Sequence, residues 1–520
     1  MSDNTNCAEQ IKAAIGPLVR AAIDAYMKTS VSVPFTTDGN KYSGDGGRVT
    51  VSRPDENGNG GGNWEGSGIG EFFVGEQKDK DFSTAFNNIR TWFNDRLSSW
   101  TTFPKPSNIL NTYDRYLKQV VATLARSADK IKLPSGQSVQ DASVNGTYDS
   151  SSPTALPSYH EHGSMGTNLD ISYSMAQLKG DAMRTFSNVF QTKLPLVIDD
   201  LCYVTNIHAS TLLSEYVFFV NAGNKVLELV KKTTTAFNKI AQSGGADFEL
   251  AVDIIGWGLS FLTLPAGGNA IATGKLALTV ADDVNKASKR HSKQSASPST
   301  YEEMRDLFKT SLADIEEDLK TGEQAVAKAL GNNISEVSTD QGKGFEEASL
   351  HLVPAPITSG SSQAEMDDAS VNDISDKLLK VADLVETAYR NLQSIRLDSL
   401  LRRDSPVGLI PAGPSEKYHD FQQIIYELLL DLKWQLEEGV INLKLAMHDF
   451  EERDADSSAA LQRFSTEYSL GSGVDPWDGT YVTSDEVLNR DPYFENHDDH
   501  NPRTPTQAPG RQELAQEKGN

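Results

Sequence analysis

VNDISDKLLKVADLVETAYRNLQSI, residues 371–395, sets Ile374, Leu378, Val381, Val385, Ala388, Leu392 and Ile395 alternately four and three apart. That period keeps the apolar side chains on one stripe of a helix, a heptad seam. FQQIIYELLLDLKWQLEEGVINLKLAMHDF, residues 421–450, continues the pattern with Phe421, Ile425, Leu428, Leu432, Leu436, Val440, Leu443, Met447 and Phe450. Between them SPVGLIPAGPSEK (405–417) carries three prolines and two glycines, which stop one helix before the next begins. Two seams joined by so short a connection bury each other as an antiparallel hairpin. The fold predicted outward from this pair is mostly α. It is an elongated set of antiparallel helical hairpins, a bundle, with a Gly-rich apolar segment at its centre and a disordered C-terminal tail.

The rest of the chain divides by pattern. Residues 1–136 form an N-terminal helical region with a Gly/Asn-rich insertion over 35–70, in which RVTVS (48–52) reads as a short strand. Its first helix, over 8–28, aligns Ile11, Ile15, Leu18, Ala22 and Tyr26. A second, over 81–100, aligns Phe82, Phe86, Ile89, Trp92, Phe93 and Leu97, and a third covers 110–132. Residues 137–170 are rich in Ser, Gly and Pro and read as a loop. Residues 171–289 hold the longest helical pattern, 171–242, which Pro195 should kink or break. Residues 290–369 are a linker and an acidic helix: a basic, Ser-rich stretch (286–300), a helix over 301–330, and a flexible connector from Gly331 to Ala369. The hairpin occupies 370–470, and residues 471–520 read as the disordered tail.

Charge narrows the function. Lys and Arg total 48 against 72 Asp and Glu, a net charge of −24. So acidic a chain repels phosphate backbones, which excludes a general nucleic-acid binder and a polybasic membrane anchor. Two cysteines, Cys7 and Cys202, cannot build a disulfide framework. Asp3, Glu9, Lys12 and Arg20 interrupt the apolar pattern of the first residues, so no cleavable signal peptide is expected.

Constellations that carry chemistry are sparse. His160-Glu161-His162 has no second ligand pair in view and reads as a solvated loop, as does His497-Asp498-Asp499-His500. Asp55-Glu56-Asn57-Gly58-Asn59-Gly60 opens like a calcium loop, but position twelve is Gly66 where a bidentate Glu is needed. A flexible Gly/Asn loop is the plainer reading. There is no P-loop, no Gly-x-Ser-x-Gly elbow and no His-Glu-x-x-His. Cys202, off the face of His208, reads as a core thiol. No catalytic residue, metal or cofactor is expected, and the chain is expected not to be an enzyme.

The hairpin carries a second signal. Its second helix closes in LKLAMHDFEERDADSSAALQRF (443–464), and the joint IPAGPSEKYHDFQQ (410–423) leads glycine into aromatics. Together these resemble the helical hairpins of type VII (ESX) secretion substrates, a family named for a Trp-x-Gly turn and a tyrosine-x-x-x-acid export motif. By that resemblance Phe450 takes the aromatic position and Asp454 the acidic one. A literal Tyr481 and Asp485 pair follows in the tail, and Trp64 and Gly66 supply a Trp-x-Gly. The resemblance implies a secreted or cell-surface protein, cytoplasmic before export, whose partner is the secretion machinery or another helical protein. An aromatic and a carboxylate four apart stand one turn above each other, an anchor and a charge for a receptor. Alternatively Phe450 only closes the seam.

One segment competes with that reading. IIGWGLSFLTLPAGGNAIATG (254–274) is uncharged and long enough to span a bilayer, yet it holds Pro265, Asn269 and five glycines. With Ile254, Trp257 and Leu262 on its first arm and Gly267 in its turn, it suits either a core hairpin or the tongue of a helical pore-forming toxin. A structural part of a phage or injection machine is a further alternative. A membrane and self-association stay open as partners.

Overall fold

The computed structural model describes residues 7–31, 35–44, 47, 49–64, 82–125, 174, 181–251, 293–339, 367–397, 399–403, 407–410 and 412–452. Its helices are α1 (Cys7–Thr29), α2 (Phe82–Thr101), α3 (Pro106–Arg115), α4 (Ala122–Ala125), α5 (Asp181–Ser187), α6 (Leu194–Ser243), α7 (Tyr301–Thr339), α8 (Asp368–Ser394) and α9 (Ser415–Glu452). Two π-helical stretches, Tyr116–Val121 and Asn188–Lys193, link α3 to α4 and α5 to α6. Strands β1 (Thr36–Asp38), β2 (Lys41–Gly44) and β3 (Val49–Ser52) form an antiparallel meander. Strands β4 (Phe248–Ala251) and β5 (Lys293–Ala296) pair antiparallel. The chain is mostly helical, as its seams predict.

The hairpin 371–450 forms with the expected sense. Tyr389 packs on Tyr426 with ring centroids 4.3 Å apart, and Gln422 Nε2 donates to the carbonyls of Leu392 and Ile395 at 2.9 and 3.0 Å. Lys433 Nζ lies 3.4 Å from Glu386. Numbers rise along α8 as they fall along α9, so the two are antiparallel. Every seam residue from Ile374 to Ile395, and from Phe421 to Met447, is buried. The pair does not stand alone, however. Ile424, Leu429, Leu430 and Ile441, off the seam, are buried too, and α9 also contacts α6 and α7. A two-helix seam has become the inner wall of a bundle.

Helix α6 is the axis of that bundle. It touches α1, α3, α7 and α9, and Leu201, Val204, Ile207, Leu212, Phe218, Phe219, Val226, Leu229 and Phe237 are buried around it. The break expected near Pro195 takes a specific form. A proline at 195 has no N–H to donate to the carbonyl four residues back. The π-helical stretch ends just before it, with Leu194 N–H donating to Val189 O, five residues back. A wider turn absorbs the proline without ending the rod.

Several expectations are corrected. The helix predicted over 301–330 runs to Thr339, straight through Gly331, so the connector cannot begin there. Gly costs a helix only about 1 kcal/mol relative to Ala, and the flanking Ala329 and Leu330 are buried. The linker 286–300 contains a strand, β5. Around the strand expected at 48–52, now β3, the insertion has folded into a sheet held to α1. Arg53 Nε and Tyr42 Oη both donate to Asp24 Oδ1, at 2.9 and 2.6 Å, closing a clasp between α1 and the meander. Gly16 of α1 lets the loop approach, because a Cβ there would sit 2.7 Å from Asn57 O. The readings for 137–170, for the tail 471–520 and for the segment 254–274 lie outside the described residues.

Candidate functional site

Two places concentrate unusual chemistry. The first is the end of the bundle where α6 leaves and α7 returns. Asp247 and Glu249 face outward while Phe248 and Leu250 are buried, the two-residue alternation of a half-covered strand. Residues 248 to 251 oppose 296 to 293, and Ala246 N–H donates to Pro298 O at 3.0 Å. From the side of α6, Lys232 Nζ donates to Glu249 O at 2.8 Å. Beyond the ribbon, α7 starts on a capping arrangement: Glu303 N–H donates to Thr300 Oγ1 at 3.2 Å, while the Glu303 carboxylate accepts from Ser299 N–H at 2.7 Å. These donors hold Glu303 below the usual carboxylate range. Tyr301 then stacks on Phe237 of α6 (5.7 Å) and meets Tyr26 of α1 edge-on (5.6 Å). The outcome is a two-stranded neck on a rigid base, with both ends of residues 252–292 held side by side.

The second place is a buried charge cluster deep in the bundle. Arg403, in the connection between α8 and α9, forms an ion pair with Glu323 of α7, and neither side chain has exposed surface. Its guanidinium also donates to Val407 O at 2.7 Å and Leu409 O at 2.9 Å, and its carbon lies 5.2 Å from the ring centre of Phe219. Glu323 in turn accepts from Leu409 N–H at 2.6 Å. The connection therefore curls around one ion pair. Gly408 permits this, since its φ of +71° suits glycine and any Cβ would collide with the Glu323 carboxylate.

Glu215 of α6 lies against the same pair. It is fully buried and neither carboxyl oxygen has a hydrogen-bond partner. Burial, then the neighbouring Glu323 charge, pushes it well above the carboxylate range, with Arg403 pulling the other way. Burial also raises Glu323, against which Arg403 and Leu409 N–H act. The pairing belongs to Glu323, so the proton sits on Glu215. His208, one face along α6, has Nε2 2.9 Å from Tyr418 O, and burial lowers it to about 4. The hydroxyls of Tyr116 and Tyr418, both fully buried, are raised by the same loss of solvent.

The residues singled out in the sequence fall elsewhere. Phe450 is in the last turn of α9. Asp454, Tyr481, Asp485, Gly66, Ile254, Trp257, Leu262, Pro265 and Gly267 lie outside the described residues, as do His160, Glu161 and His162. Trp64 bridges to Val51, sets its ring edge-on to Phe82 at 5.4 Å and is 42% exposed. The calcium-like loop is organised by an arginine. Asp55 Oδ1 accepts from the N–H groups of Asn57 and Asn59, at 2.8 and 2.9 Å, while Arg90 of α2 donates to Gly58 O at 2.5 Å and to Gly60 O. A guanidinium occupies the carbonyl cradle that a cation would need. Among the described residues no group of His, Cys, Asp and Glu could hold a metal ion. Trp477-Asp478-Gly479, just before Tyr481, is a Trp-x-Gly that the helix-based reading passed over, and it too lies outside them.

Comparison with family models, curated proteins and solved structures finds no match to this chain.

Proposed function

We propose that this is a non-enzymatic helical protein that inserts residues 254–274 into a membrane from the tip of the β4–β5 neck. The observation that carries the reading is the pairing of Ala251 with Lys293, which brings together the two residues that flank 252–292, the stretch containing the apolar segment. Held that way, an uncharged run cannot cross once and stop; it enters as a hairpin, for which Pro265-Ala266-Gly267-Gly268 supplies the turn. Helices α6 and α7, with 50 and 39 residues, form rods on the order of 75 and 60 Å that hold the neck away from the other end of the bundle. Charge is consistent with this. Residues 252–292 bear four cations (Lys275, Lys286, Lys289, Arg290) against three carboxylates (Asp253, Asp282, Asp283), in a chain of net −24. Among the described residues no helix is long and apolar enough to cross a membrane, so insertion rests on this segment.

The test is dye release from phosphatidylcholine vesicles. The full chain should cause leakage, and Gly267→Asp should abolish it with an unchanged melting curve. A carboxylate at the bilayer centre costs about 2.5–3.5 kcal/mol. No leakage at any pH or lipid composition would leave 254–274 as a core hairpin.

Export by a type VII-like machinery is a second, compatible reading. It is favoured by the unbroken course of α9 as far as Glu452, which keeps Phe450 helical. Phe450→Ala with Asp454→Ala should then block export from a host with that machinery while leaving the fold intact; normal export would remove this reading.

A further inference from the structure

The Glu215–Glu323–Arg403 cluster is a charge imbalance sealed inside the protein. Two carboxyls from neighbouring helices lie near one guanidinium, which pairs with Glu323 and comes from a connection rather than from a helix. The groups facing Glu215 can be named element by element: Glu323 from α7, Arg403 from the α8–α9 connection and Tyr418 from α9, with Tyr116 of the π-helical stretch after α3 and His208 of α6 next beyond Tyr418. Arg403 is the cation among them; His208 and both tyrosines are neutral near pH 7. With one proton on Glu215 the cluster carries no net charge. Without it the cluster carries one buried negative charge, on a carboxylate that has no hydrogen-bond donor. Arg403 Nη1 has no acceptor and is the donor such a carboxylate would claim.

We infer that this cluster is a pH-sensitive latch: while Glu215 holds its proton, Arg403 stays on Glu323 and pins the α8–α9 connection to the bundle, and when the proton leaves, the connection is released. Two features make the connection the part that moves. It is tied to α7 through Arg403 and Leu409 N–H, both to the same carboxylate, and both ties weaken if Arg403 turns toward α6. Two of its internal bonds, from Arg403 to Val407 O and Leu409 O, depend on the same guanidinium, while Gly413 N–H to Leu409 O does not. One titration therefore reaches both ties to α7 and two of the internal bonds. The sign follows from burial. The proton is held more tightly in the folded protein than in the unfolded chain, so the latch is firm at low pH and fails as pH rises. The latch operates whether or not residues 252–292 enter a bilayer.

Hydrogen exchange on the full-length protein tests it, with rates corrected for the intrinsic effect of pH. Followed upward from about pH 6, protection of the Leu409 amide should fall at least about tenfold as Glu215 gives up its proton, while amides of α1 and α2 hold theirs. This window lies above the titration of His208. In Glu215→Gln, which keeps the shape and cannot ionise, protection should stay the same throughout that window. Glu215→Met makes the same prediction and serves if the amide is not tolerated. Glu323→Gln should loosen the connection at every pH in it. Flat protection in the unaltered protein, or an undiminished pH response in both Glu215 variants, would overturn the proposal.

Discussion

Two breaker-rich connections join long helices in this protein, and they are fastened in opposite ways. Residues 395–414, between α8 and α9, are pulled into the bundle at their middle by Arg403. The connection between α6 and α7 is fastened, among the described residues, at its base by β4 and β5. The first has a cation that finds a buried partner. The second has an uncharged run, 254–274, followed by a stretch, 275–292, that carries most of its charges. One desolvated ion pair is enough to fold a Gly/Pro-rich joint into a core, because a buried charge demands a fixed partner. A strand pair fixes only where a long connection begins and ends.

The sharpest way to break this contrast is Arg403→Ala. It leaves a buried Glu323 carboxylate with no cation, which should cost about 3–5 kcal/mol, read as a lowered denaturant midpoint. Arg403→Met with Glu323→Met should recover most of that. If the double variant is stable but its connection is cut by protease, the ion pair positions the joint more than it stabilises the fold.

Acid sharpens the same comparison. His208 binds a proton only near pH 4 when folded, against 6.5 in the free side chain, so stability falls as pH drops from 6.5 toward 4, by about 3 kcal/mol. Glu215 works in the opposite sense, since its folded form favours the proton and stability falls as pH rises above 4.5. Between about pH 4.5 and 6.5 the two offset each other. His208→Gln removes one slope, and the variant should lose stability as pH rises through that window. A variant that instead follows the unaltered protein would mean that Glu215 does not titrate as proposed.

The smallest expected effect is at the neck. Lys232→Met removes the donor to Glu249 O and should cost about 1 kcal/mol or less, because Lys232 is 43% exposed. The readout is faster amide exchange confined to β4 and β5. Spread of that loosening into α6 would show that the neck belongs to the core.

The sequence exposed some of this and hid the rest for identifiable reasons. The seams of α8 and α9 were legible because a stripe at four-and-three spacing has one economical solution, a facing stripe. The burial of Leu429 and Ile441 off that stripe was not legible, since periodicity gives the direction of one partner and says nothing of a second. Strands β4 and β5 are four residues each and lie far apart in the chain; neither shows alternation until its partner is known. Glu215 and Glu323 read as ordinary polar positions on long helices. Arg403 read as part of a loop.

From sequence alone came the helical class, the positions of the long rods, the break near Pro195 and the uncharged segment between two helices. All depend on residues close together along the chain, where local sterics and side-chain period act directly. Tertiary structure alone decided which rods lie at the centre, that Ala251 meets Lys293, that Arg90 fills the loop at Asp55, and that one guanidinium pairs with Glu323 while Glu215 is buried beside them without a partner. Those are encounters between residues tens to hundreds of positions apart. Burial and desolvation, which set their chemistry, exist only once the bundle has closed around them.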